Sequence, residues 1–105
     1  MVDTFDKLVA YNRGLNRRFG GEEPFKIMTR LLEECGELAA QVNHFEGSGV
    51  KHEKHGSPDK KKMAKEIQDV LRCAIQVALY YNLVDEIRED IQKGYERIKA
   101  EGYLD

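Results

Sequence analysis

Glu34 and Glu37 stand three positions apart, as do Glu66 and Asp69, and Glu33 adjoins the first pair. On an α-helix that interval points two carboxylates the same way, an unfavourable stacking of like charge unless something positive lies between them. Two helices that each present such a pair converge four oxygen donors on one point. Donors of this hardness suit Mg²⁺ or Mn²⁺ rather than zinc or copper, and Mg²⁺ keeps positions open for water and phosphate oxygens. One acidic pair alone is more often a solvated helix face. The second pair argues otherwise, because at about 100° per residue Glu66 falls between the directions of Val77 and Cys73 on an apolar edge, with Asp69 one turn further on. Burying an ionised carboxylate without a partner costs on the order of several kcal/mol. Either a basic residue or a bound cation is therefore expected, and the basic candidates nearby are few, since Lys65, Arg72 and Arg30 are expected to point mainly to outer faces.

The elements that must position these acids read as helices, because apolar residues recur at three and four positions rather than at two. A first helix runs from about Thr4 to Arg18, with Phe5, Leu8, Val9 and Leu15 inward, and ends at Gly20 and Gly21. A second starts at Pro24, which a first helical turn tolerates, behind Glu22 and Glu23, whose charge suits a helix N-terminus. Its inward residues are Phe25, Met28, Leu31, Leu32, Cys35, Leu38, Ala39, Val42 and Phe45, with the arc centred near Cys35, Ala39 and Val42, and it stops near Glu46. Ser57 before Pro58 and Asp59 reads as the N-cap of a third helix, which faces inward through Met63, Ile67, Val70, Leu71, Ala74, Val77, Ala78 and Tyr81. Asn82 is its left-handed stop. A fourth helix runs from about Val84 to Ala100, inward through Ile87, Ile91, Tyr95 and Ile98, and Gly102 closes it. The expected fold class is all-α, a four-helix bundle-like arrangement in one domain spanning residues 1–105.

A chain of 105 residues fills one core, and a modest one, for which association with a second copy is a common remedy. The apolar helical faces, together with Tyr80, Tyr81 and Phe45, exceed what one copy hides, so a homodimer or homotetramer is expected. A net charge of -2 offers no field to recruit a nucleic-acid polymer. No apolar run approaches the roughly 20 residues of a membrane span, and the first ten residues carry Asp3, Asp6 and Lys7, unlike a signal peptide. Cys35 and Cys73 lie in apolar helical patterns and not in a CxxC pair, so both read as reduced core thiols and place the chain in the cytoplasm.

The strings EECGE, Glu33 to Glu37, and EIQD, Glu66 to Asp69, separated by 28 residues, resemble the paired EExxE and ExxD signature of the MazG-like nucleoside triphosphate pyrophosphohydrolases. The flanking GELAAQ and DVLRCAIQVALYYN also resemble helices of that family, and the resemblance runs from about Phe25 to Ile98. It implies the all-α NTP pyrophosphatase fold and Mg²⁺-dependent cleavage between the α- and β-phosphates of a nucleoside triphosphate, releasing a monophosphate and pyrophosphate. It implies Glu34, Glu37, Glu66 and Asp69 as metal ligands, and Glu33 as a second-metal ligand or the base that orients the attacking water. Lys93 and Arg97 are candidate phosphate clamps by the same resemblance, and Asn82 a candidate polar contact. QKGYERIK in the last helix departs from the basic, asparagine-containing string of the family. The stretch with Lys51, His52, Lys54 and His55 reads either as a basic lid over phosphates or as a solvated loop.

Three other readings compete. A phosphoribosyl-ATP pyrophosphatase is the nearest enzyme, but the serine and tyrosine segment expected early in that family is missing. A ferritin-like iron bundle needs ExxH pairs, and this chain offers QVNH, Gln41 to His44. A non-enzymatic helical dimerisation module would use the acids only for solubility.

Overall fold

A computed structural model describes residues 2–47 and 56–104; Lys51, His52, Lys54 and His55, and with them the lid expectation, lie outside the described residues. Four helices, α1 (Thr4–Phe19), α2 (Pro24–Phe45), α3 (Lys60–Tyr80) and α4 (Val84–Ala100), account for the secondary structure, with no strand among the described residues.

Local chemistry sets the helix ends. The Asp3 carboxylate accepts from the Asp6 backbone N–H at 2.8 Å while the Asp6 carboxylate accepts from the Asp3 N–H at 3.1 Å, a reciprocal cap on α1. Gly20, at φ 81°, stops that helix in a conformation that a side chain disfavours. Glu23 caps α2, accepting from Lys26 N–H at 2.8 Å, with Pro24 in its first turn. The cap of α3 is Asp59 and not Ser57: its carboxylate accepts from Lys61 N–H at 2.8 Å, and Pro58, which restrains Ser57 to extended geometry, stays outside the helix. Asn82 takes φ 58°, and Leu83 N–H donates to the Ala78 carbonyl at 2.7 Å, so a left-handed residue ends α3 as expected.

Packing is most extensive between α2 and α3. They run antiparallel, since Ile27 and Arg30 lie beside Cys73 and Gln76 while Glu37 lies beside Glu66. A separate apolar cluster of Val9, Ile75, Ala78 and Val84, flanked by Phe5, Leu8, Leu79 and Ile87, ties α1 and the start of α4 to the last turns of α3. Arg88 pairs with Asp6 across that junction and lies over the Phe5 ring. Asn12 is wholly buried, its Nδ2 donating to the Leu8 carbonyl at 2.9 Å.

The face of α2 turned to α3 differs from the expected one. Ile27, Leu31, Glu34, Leu38, Gln41 and Phe45, spaced by four and three, form the buried or half-buried seam. Phe25, Met28, Leu32, Cys35, Ala39 and Val42, spaced by three and four, form a second seam that is exposed, with Phe25 at 80% and Leu32 at 67%. The apolar arc of α2 is wide enough for two interfaces, and α3 takes one edge of it. Of the two cysteines, therefore, Cys73 is a core thiol and Cys35 is exposed. Ile67, Leu71, Tyr81, Ile91 and Tyr95, expected inward on α3 and α4, are likewise exposed. The radius of gyration, 17.0 Å, exceeds the ~13 Å of a compact chain of this length, because α4 is anchored by Val84, Ile87 and Arg88 and leads away from α2 beyond them. No described helix is long and apolar enough to cross a membrane.

Candidate metal centre

The α2–α3 seam places Glu34 opposite Glu66, each where an antiparallel helix pair ordinarily buries an apolar side chain. Glu37, one turn beyond Glu34, closes the group. One carboxylate oxygen from each of Glu34, Glu37 and Glu66 lies within 4.8 Å of the others. Ligands about 2.1 Å from a Mg²⁺ ion stand about 3–4 Å apart, so modest side-chain rotations bring these oxygens to coordinating separations. The group is not internally satisfied: Glu34 Oε2 and Glu66 Oε2 are buried without a hydrogen-bond partner. Burial pushes the Glu66 carboxyl up to about 7, helped by the neighbouring carboxylates of Glu34 and Glu37. Gln41 Oε1, further along the same seam, is also buried and unpartnered.

Asp69 is buried on α3 one turn from Glu66 but stands outside the group of three. Its Oδ1 accepts from Lys65 Nζ at 2.6 Å and lies 3.9 Å from the Arg72 guanidinium. That bond holds the Lys65 ammonium above its ordinary value. Lys65 is exposed as expected yet engages Asp69, whereas Arg72, expected outward, is half-buried beside it; the signal was present in the sequence, since intervals of four and three bring both cations onto the face of Asp69.

A cavity of about 230 Å³ opens one turn from the acids, between the end of α1 and the α2–α3 pair. Leu15, Ile27 and Cys73 supply apolar wall, Asn16 and Gln76 supply amides, and Arg30 and Arg72 supply guanidinium groups. Arg30 pairs with Glu22 at 3.0 Å, and Arg72 lies over the Tyr11 ring. Sequence reasoning missed this cavity because its lining comes from three helices whose relative placement no single spacing encodes.

The other candidate residues are not brought to the acids. Glu33 is exposed and faces a shallow surface depression with Glu22, Lys26 and Arg30. Asn82 is exposed beyond the last turn of α3, roughly 20 Å along the axis from Glu66 at 1.5 Å rise per residue. Lys93 and Arg97 are exposed on α4, which has no packing contact with α2.

The uncharacterized protein YpjD of Bacillus subtilis (strain 168) is 48% identical over 55 residues, covering 52% of this chain and 47% of the relative, so the match spans about half of either protein. No solved structure matches the chain. The MazG nucleotide pyrophosphohydrolase domain matches residues 22–100. Since that match takes in α2, α3 and all of α4, the chain belongs to the MazG nucleotide pyrophosphohydrolase family.

Proposed function

We propose that this chain is a Mg²⁺-dependent nucleoside triphosphate pyrophosphohydrolase, cutting between the α- and β-phosphates to give a nucleoside monophosphate and pyrophosphate. One observation carries the reading: Glu34 Oε2 and Glu66 Oε2 are buried and unpartnered inside a group of three acids. Each such atom costs about 1–3 kcal/mol unless satisfied, and a hard divalent cation, Mg²⁺ or Mn²⁺, is the partner that suits an all-oxygen donor set. Glu34, Glu37 and Glu66 would hold the ion, with Asp69 as the fourth ligand.

When bound, the ion neutralises and polarises the phosphate oxygens around the bond to be cut. Glu33, next to the ligands but outside their group, is the candidate acceptor of the attacking water's proton. Arg72 and Arg30, on the wall that adjoins the acids, favour an anionic group there, and the amides of Asn16 and Gln76 offer paired donors and acceptors to a nucleoside. The exposed α2 seam suits a second copy of the chain, giving a homodimer or homotetramer. In that assembly Lys93 and Arg97 would approach the phosphates from the neighbouring copy; Asn82, already explained as a helix stop, is the weakest of the candidates.

The test is pyrophosphate release with and without Mg²⁺, across standard and oxidised nucleoside triphosphates and phosphoribosyl-ATP. Turnover of at least one triphosphate is expected, and Glu66→Gln should reduce it by roughly 100-fold or more while circular dichroism stays helical. Undiminished turnover in Glu66→Gln removes the centre. Turnover of phosphoribosyl-ATP alone moves the chain to the related biosynthetic enzyme.

A further inference from the structure

Asp69 presents a contrast with its neighbours that the group of three acids does not explain. Glu34 and Glu66 keep buried oxygens unpartnered, whereas Asp69, on the same seam region and as deeply placed, has its Oδ1 bound by Lys65 Nζ at 2.6 Å with Arg72 at 3.9 Å. The two cations differ in freedom. The Arg72 side chain is 18% exposed and lies over the Tyr11 ring, so it is held in place. The Lys65 side chain is 62% exposed and rests on a single charged contact. An exposed ammonium of this kind is bound weakly and released easily, because water and salt compete for it.

We infer that Lys65 is the substitute cation of the metal-free chain, neutralising Asp69 until a divalent ion arrives and departing so that Asp69 becomes a ligand. The inference rests on the divalent-cation reading of Glu34, Glu37 and Glu66. Two physical effects follow from the geometry. Lys65 engages Asp69 Oδ1, one of the two oxygens Asp69 can offer an ion, and its positive charge, one short hydrogen bond from that oxygen, repels the incoming ion. Both effects weaken metal binding, and both vanish when the ammonium is removed. Arg72 remains beside Asp69 in either state and keeps a positive charge 3.9 Å from its Oδ1. Lys65 is thus a positioning residue that sets how readily the fourth ligand is delivered.

The experiment is titration of the full chain with Mn²⁺, followed by the electron paramagnetic resonance of the free ion, for the unaltered protein, Lys65→Met, Lys65→Arg and Glu66→Gln. Lys65→Met should bind Mn²⁺ about three- to tenfold more tightly, and the gain should shrink as salt is raised. Lys65→Arg, which keeps the charge, should bind no more tightly than the unaltered chain. An ion pair with a merely structural role would shift the melting temperature and leave Mn²⁺ affinity alone. Normal binding by the unaltered chain, lost in Glu66→Gln but unchanged or weakened in Lys65→Met, overturns the inference while the metal centre stands. Absence of Mn²⁺ binding by the unaltered chain overturns both.

Discussion

Glu66 is the residue on which charge and burial conflict most directly. Its carboxyl titrates near 7 in the folded chain, well above the 4.5 ordinary for a glutamate, chiefly because burial penalises the charged form. For an acid with a raised value, the stabilising contribution is complete below the ordinary value and is lost as pH climbs through the folded one. The metal-free protein should therefore lose melting temperature between about pH 5 and pH 8, and Glu66→Gln should flatten that slope. Calorimetric scans across this window decide it; equal slopes in the two proteins would place the Glu66 titration elsewhere. Divalent cations should bind with release of a proton below neutrality and reverse the slope. At this scale the sequence disclosed Glu66 as a misplaced charge, since a polar letter interrupting an apolar period is visible in one dimension. It did not disclose the engagement of Asp69, because two cations at helical intervals look like surface charge until their shared face is known.

Helix identity and limits were legible for the same reason: periodicity, proline, glycine and asparagine act within a few residues of one another. The rotation of α2 was not. Its apolar letters span two adjoining seams, and only the placement of α3 decides that Glu34, and not Cys35, faces inward. The N-cap of α3 moved from Ser57 to Asp59 because two neighbouring residues both qualify and the nearer carboxylate reaches Lys61 N–H. Asn82 gives a test confined to the turn between α3 and α4. Its left-handed backbone, φ 58°, disfavours branched side chains. Asn82→Val should cost about 1–2 kcal/mol in urea unfolding, whereas Asn82→Gly should be neutral or mildly stabilising. Mn²⁺ affinity should be the same in all three proteins; a loss of affinity in Asn82→Gly would give this side chain a part in the site that its distance along α3 argues against.

As a whole, the molecule is more open than its length requires, with a radius of gyration of 17.0 Å and a row of large apolar side chains facing outward on α2. Exposed apolar surface of this extent is what the proposed association with a second copy would cover. Leu32, 67% exposed in the middle of that row, is the position where a charge should do most damage to association and least to the single chain. Leu32→Glu should sediment as a monomer at micromolar concentration and keep its helical spectrum, while the unaltered chain sediments as a dimer or larger. A monomeric unaltered chain would remove the assembly. The architecture of α4 bears on inheritance as well as on chemistry. In the proposed assembly, Lys93 and Arg97, on a helix without packing contact to α2, would serve the acids of a neighbouring copy. Two inactive alleles, one altered at Glu66 and the other at Arg97, should then rescue each other when co-expressed, because about half of randomly mixed pairs contain one undamaged centre.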